Sequence, residues 1–168
     1  MLVPLVARGG APHLLFTRRP DHFRQHAGQI SFPGGSKDLA DASALHTALR
    51  ETEEELGVGP GSIDILGRLD EVATNSDYGV IPFLGVLAPG AVITPSKDEV
   101  AAVIEVPLAA LFRSGGFRMK RMEFRGQFHD VYFFEHGEHV IWGATGQILY
   151  NLQEIAGELP AWKEWVLT

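Results

Sequence analysis

The sequence predicts an α+β protein in which helices cover a mixed β-sheet. Three observations carry that expectation. Short apolar, β-branched segments recur along most of the chain between Gly- and Pro-rich turns. The acidic segment Asp41 to Gly57 has the apolar spacing of a helix instead. A second helical pattern, Gly143 to Ala156, follows the last of the strand-like segments. At 168 residues, the expectation is one domain spanning 1–168, long enough to bury a sizeable core.

Taken in order, LVPLVAR and HLLFTRR read as two strands joined by the turn GGAP, so Leu2 to Arg19 is expected to form a hairpin. The following stretch RPDHFRQHAGQISFPGG is rich in Gly, Pro, His and Arg and reads as an irregular loop, with a short strand at Gln29 to Phe32. Asp41 is the expected N-cap of the acidic helix, and Gly57 stands where a glycine stop belongs. At about 100° per residue from Leu45, the side chains of Leu49, Thr52 and Leu56 form one stripe for a core, while Glu51, Glu54 and Glu55 share a different face. Beyond the helix, Ile63 to Thr74, Gly79 to Ala88 and Val100 to Leu108 read as strands. PLAALF reads as a short helical turn started by Pro107. Gly116 to Gly126, His129 to Gly137 and Glu138 to Gly143 suggest three more strands, the last two joined by a turn at His136 to Glu138. Ile148, Leu149, Leu152 and Ile155 give the closing helix its apolar side, and Phe133, Phe134 and Trp142 are expected in the core.

Composition narrows the function. No apolar run is long enough to span a membrane, and Met1 to Gly10 lacks the basic start and apolar stretch of a signal peptide, so a soluble, cytoplasmic protein is expected. With no cysteine in the chain, disulfides, thiolate metal sites and a cysteine nucleophile are excluded. A formal charge of -7 argues against nucleic acid as a partner but leaves room for an anionic small molecule, because a bound cation inverts the local field.

Four glutamates in RETEEELG are unfavourable neighbours on a helix, since like charges one turn apart repel by roughly 0.2–0.5 kcal/mol per pair. Such a face is often only solvated surface. Here it follows the glycine-rich turn FPGG, and spacings of three and four let Glu51, Glu54 and Glu55 converge on one hard cation. Carboxylate oxygens suit Mg²⁺ or Mn²⁺. A cation of that kind, with water and phosphate filling its other positions, supports attack of water on a phosphoanhydride. The general base is open between Glu54, Glu51 and a carboxylate from a later loop such as Glu99 or Glu135. Arg18, Arg19 and Arg24 are candidates for phosphate contact, because guanidinium matches phosphate bidentately.

These residues carry a family resemblance. Arg50-Glu51-Thr52-Glu53-Glu54-Glu55-Leu56-Gly57-Val58 resembles the second half of the Nudix hydrolase signature, with Thr52 in place of an apolar residue. Gly35 resembles its first glycine, and Asp41 stands where its first glutamate is expected, one residue further from Arg50 than usual. Thr17 to Gly57 is similar to the coenzyme A pyrophosphatase branch, sharing Thr17, Arg19, Arg24 and Gly28 ahead of FPGG; Pro20 departs from the small residue usual there. Tyr78 to Gly85, Lys97 to Leu108 and Trp142 to Leu149 resemble the same branch.

The resemblance implies an α/β/α sandwich with a mixed sheet between helices. It also implies Mg²⁺ or Mn²⁺ as cofactor, held by Glu51, Glu55 and Glu54 with the Gly35 carbonyl as a further ligand. Glu54, Glu51 and Arg50 are then the catalytic group, and Arg19, Arg24 and Gly34 the substrate-binding one. The implied substrate is coenzyme A or a derivative, cleaved to 4'-phosphopantetheine and adenosine 3',5'-bisphosphate. The alternatives are another nucleoside diphosphate derivative (ADP-ribose, a dinucleoside polyphosphate or an NTP) and a non-catalytic nucleotide-binding domain. A homodimer is compatible with all three.

Overall fold

The structure, a computed structural model, describes residues 1–74 and 79–158. Tyr78, the first residue of one of the matching segments, lies outside them. The chain opens with the expected hairpin: Leu2–Arg8 (β1) pairs antiparallel with Ala11–Arg18 (β2) across the turn at Gly9 and Gly10. Ile30–Ser31 (β3) pairs with the end of β2, placing Ser31 opposite Thr17. The acidic helix is Ala44–Leu56 (α1). Ile63–Arg68 (β4), Val72–Ala73 (β5), Gly79–Val80 (β6), Phe83–Leu87 (β7) and Ala102–Pro107 (β8) follow. A 3₁₀ turn at Leu108–Phe112 leads into Phe117–Phe124 (β9), Gln127–His136 (β10), His139–Trp142 (β11) and the second helix, Gly143–Glu158 (α2).

The main sheet has the order β3-β2-β1-β7-β4, with β8 also paired to β2. It is mixed, because β1 and β7 run parallel while the other pairs are antiparallel. Strand alternation sends Val3, Leu5, Leu14 and Phe16 to one face, where Ile148, Leu149 and Leu152 of α2 meet them. Leu2, Val6 and Leu15 point to the other face and pack with Ala48 and Leu56 of α1. Each fully buried Leu, Val or Phe contributes roughly 1.5–3 kcal/mol, so the two apolar layers fix both helices to the sheet. A second sheet, β11-β10-β9, presents Phe134 and Ile141 to the α2 layer.

Several expectations are corrected. Ser43, not Asp41, caps α1: its hydroxyl accepts the His46 N–H at 3.1 Å. The two long strands predicted between Ile63 and Ala88 are each broken in two. Pro82 has no N–H to donate, and its carbonyl accepts from Leu69 across the break. Ile155 is exposed and Ala156 fills its place in the α2 core, while Trp142, expected inside, is 42% exposed and stacks on Phe133.

The largest correction concerns the face of α1. Its buried residues are Thr47, Ala48, Thr52 and Leu56, whereas Leu45 and Leu49 are only partly buried. On the wheel that starts at Leu45, Ala48 falls near 300°, close to Glu55 at about 280° and Glu51 at about 240°. The helix is thus turned toward the sheet on its glutamate side. Glu51 and Glu55 line the edge of the helix–sheet contact instead of a solvated face.

Candidate active site

Two backbone features build the site. The turn after β3 carries Pro33, Gly34 and Gly35, and the Pro33 carbonyl accepts the Leu2 N–H at 2.9 Å, anchoring it beside β1. Gly34 has φ +151°, and a Cβ there would lie 2.7 Å from the Met1 Cα; a Cβ on Gly35 would lie 2.5 Å from the Glu51 carboxylate atoms. Only glycine lets this turn approach α1 so closely. At the other end of α1, Gly57 adopts the left-handed conformation and closes the helix on the Glu53 carbonyl. The Thr94 and Ser96 N–H groups then take the Leu56 and Glu55 carbonyls at 2.8 and 2.9 Å. That bonding brings the segment with Glu99 to the same edge of the helix.

Arg50 organises the acids. Its Nε and Nη2 donate to the two Asp41 oxygens at 3.1 and 3.0 Å. Nη1 reaches Glu54 Oε2 at 2.8 Å, Nη2 lies 2.9 Å from Glu51 Oε1, and Nη2 also donates to the Ser36 carbonyl at 3.3 Å. Asp41 is only 1% exposed, accepts the Asp38 N–H at 2.9 Å and has His46 Nδ1 at 3.2 Å. Arg50 beside it, with that backbone bond, holds its carboxyl well below the usual range. The pairing in turn raises the already high proton affinity of Arg50. The sequence suggested Asp41 as a helix cap and also placed it where the signature's first glutamate is expected; it does not cap the helix, and its side chain orients the arginine.

Glu51 and Glu55 are the two carboxylates of this group whose proton affinity is raised. Burial pushes the Glu51 carboxyl up, with Arg50 opposing the shift. Burial pushes Glu55 up to about 7, although the Thr17 hydroxyl donates to its Oε2 at 3.1 Å and the Gly34 N–H lies 3.5 Å from its Oε1. Glu51 and Glu99 add repulsion to Glu55, and Glu54 and Glu99 add it to Glu51. Two carboxylates withdrawn from water and facing like charge form a locus that a hard cation would neutralise. The donor set is all oxygen, and the absence of a side chain on Gly35 lets the Glu51 carboxylate lie against the turn after β3. These residues fit Mg²⁺ or Mn²⁺. Among the described residues no three acid or imidazole side chains are gathered in ligating geometry. Glu54 is turned to Arg50 and Glu55 to Thr17.

Of the residues singled out in the sequence, Arg50, Glu51, Glu54, Glu55, Gly34 and Gly35 come together. Arg19 and Arg24 are exposed on the segment between β2 and β3 and are not bonded to these acids; the Arg19 guanidinium lies 5.1 Å over the Phe23 ring. Arg18 pairs with Asp21 at 2.6 Å. Glu135 is paired with Arg118 on the second sheet. Thr17 stood only within a longer pattern; its contact with Glu55 spans 38 positions and had no local signal.

The NUDIX domain model matches residues 1–140. The chain belongs to the Nudix hydrolase family. It is 39% identical over 160 residues, 95% of this chain and 83% of the relative, to the uncharacterized Nudix hydrolase NudL of Escherichia coli K12. It is 38% identical over 154 residues, 92% and 82% of the two chains, to the uncharacterized NudL of Photorhabdus laumondii. Among solved structures, the Nudix hydrolase RenU from M. smegmatis has a TM-score of 0.61 at 16% identity, over 95% of this chain and 84% of that one. The MutT protein from Methanosarcina mazei Go1 has 0.55 at 20% identity, over 94% of each chain. These structural likenesses establish the Nudix fold, a mixed sheet with two helices. The family is one of pyrophosphohydrolases that generally use a divalent metal, and its domains bind nucleotide diphosphate substrates. Among the described residues no helix is long and apolar enough to cross a membrane.

Proposed function

We propose that the protein is a metal-dependent pyrophosphohydrolase that cleaves the diphosphate of coenzyme A or a derivative to 4'-phosphopantetheine and adenosine 3',5'-bisphosphate. The observation that carries the site assignment is the withdrawal of Glu51 and Glu55 from water beside the side-chain-free Gly35. Glu51 and Glu55, with Glu54 and the Gly35 carbonyl, would hold Mg²⁺ or Mn²⁺. Such a cation supplies polarisation of the phosphoryl oxygen and acidification of water.

The chain's own groups do the rest. Arg50, fixed by Asp41, orients Glu51 and Glu54 from one guanidinium. Glu54, half-exposed and held by Arg50, or Glu51 beside it, accepts the proton of the attacking water. Oxygen of that water bonds to phosphorus as the bridging P–O bond breaks, and the second phosphate leaves with the bond pair. Arg19 and Arg24 hold the phosphates from the loop, with Gly34 in the turn after β3 as the further substrate-binding residue. The substrate assignment is supported by Thr17, Arg19, Arg24 and Gly28 ahead of FPGG, which resemble the coenzyme A branch.

Glu51→Gln and Glu55→Gln test the site. Each should lower kcat by on the order of 10²-fold or more while the circular dichroism spectrum is unchanged. Full activity in both variants would sink the metal assignment.

A further inference from the structure

Thr17 is 3% exposed and its side chain leaves β2 on the α1 face, two residues after Leu15. A hydroxyl buried against this apolar layer needs a partner, and it finds Glu55 Oε2 at 3.1 Å. The other oxygen of the same carboxylate lies 3.5 Å from the Gly34 N–H, in the turn after β3. Ser31 of β3 and Val103 of β8 are the cross-strand partners of Thr17, so its backbone is fixed from both sides. Glu55 therefore spans the two stems of the segment that carries Arg19 and Arg24. One stem leaves β2 directly after Thr17 and Arg18; the other returns through β3 to Gly34. The bond from the Arg19 N–H to the Gln29 carbonyl, 3.0 Å, closes the segment between them.

We infer that Thr17 is a positioning residue. Its hydroxyl holds one oxygen of Glu55 and so sets how that carboxylate is presented to a divalent cation, linking the cation site to the Arg19–Gln29 segment. The inference rests on the metal assignment proposed above. Groups that hydrogen-bond a metal-ligating carboxylate orient it and tune affinity, commonly by 10- to 100-fold. A Thr that served packing alone would tolerate any replacement of equal volume.

The test is Mn²⁺ binding, followed by electron paramagnetic resonance of free Mn²⁺ without substrate, on the wild type and four variants. Thr17→Val keeps volume and removes the hydroxyl. Thr17→Ser and Thr17→Ala form a second pair of similar size that differs in the hydroxyl. Binding should weaken on the order of tenfold in Thr17→Val and Thr17→Ala, stay within about twofold in Thr17→Ser, and be lost in Glu55→Gln. Thermal unfolding accompanies each titration, and the Ser/Ala comparison stands even if Thr17→Val does not fold. Equal losses in Thr17→Ser and Thr17→Ala would overturn the inference, because packing alone would then explain them. Wild-type affinity in Thr17→Val, with binding lost in Glu55→Gln, would overturn the role of Thr17 and leave the metal site standing. Wild-type affinity in Glu55→Gln would overturn both.

Discussion

Replacing Glu55 with Gln should stabilise the metal-free protein at pH 8.5 and change it much less at pH 5. Burial lifts the Glu55 carboxyl from 4.5 to about 7 in the folded state. A group raised in this way contributes stability that is fully present below the unfolded value of 4.5 and is lost as pH rises through about 7. Moving a carboxyl over that interval corresponds to on the order of 3 kcal/mol for the charged form. Glutamine has the same size, carries no charge and still offers the Thr17 hydroxyl an oxygen. The variant should therefore exceed the wild type by about 1–3 kcal/mol at pH 8.5, allowing for the less favourable hydrogen bonds of an amide. Urea unfolding in EDTA at pH 5, 6, 7 and 8.5 measures the difference. Adding Mg²⁺ at pH 8.5 should then raise the stability of the wild type, since a ligand of the folded state stabilises it, and leave the variant unmoved. A variant less stable than the wild type in EDTA at pH 8.5, or a difference that does not vary with pH, would refute the picture of Glu55 as a desolvated charge.

Gly35→Ala would place a methyl 2.5 Å from the Glu51 carboxylate. It should cost about 1–3 kcal/mol of stability by thermal unfolding and weaken Mn²⁺ binding in parallel, whereas an alanine accommodated without either loss would show the turn to be loose. Asp41→Asn removes the charge that fixes Arg50 and should lower both stability and kcat at pH 7. Because Arg50 holds the Asp41 carboxyl below its ordinary value of 3.8, the wild type's advantage is present above that pH and fades as pH falls below it. Urea unfolding at pH 7 and pH 2.5 measures that fade, and a constant gap would contradict it.

Local patterns made much of the molecule legible. The hairpin of β1 and β2 follows from two apolar runs around Gly9 and Gly10, and α1 and α2 from apolar spacing. The acids of RETEEELG and the glycines of FPGG, which the fold brings together, were likewise legible, since close approach and shared charge have signatures in residue type. What escaped depends on neighbours distant in sequence. The rotation of α1 is decided by how Ala48, Thr52 and Leu56 fit against Leu2, Val6 and Leu15, and the wheel alone centred the stripe too near Leu45. Asp41 looked like a cap because it precedes a helix. Ser43 provides the cap, and the Asp41 carboxylate is committed to Arg50 nine positions on. Pro82 is a local signal for the break in its own segment, whereas the bond from the Leu69 N–H to its carbonyl joins two segments and has none.

The proposed reaction is metal-dependent cleavage of a coenzyme A diphosphate by the group around Glu51 and Glu55. Its most direct test offers the purified protein coenzyme A, ADP-ribose, dinucleoside polyphosphates and NTPs, each with Mg²⁺, Mn²⁺ or EDTA, and resolves the products by mass. Release of 4'-phosphopantetheine and adenosine 3',5'-bisphosphate with either metal but not EDTA, and slow turnover of the other substrates, is the predicted result. Coenzyme A left intact while another substrate is hydrolysed would contradict the substrate assignment, and cleavage undiminished in EDTA would contradict the metal site.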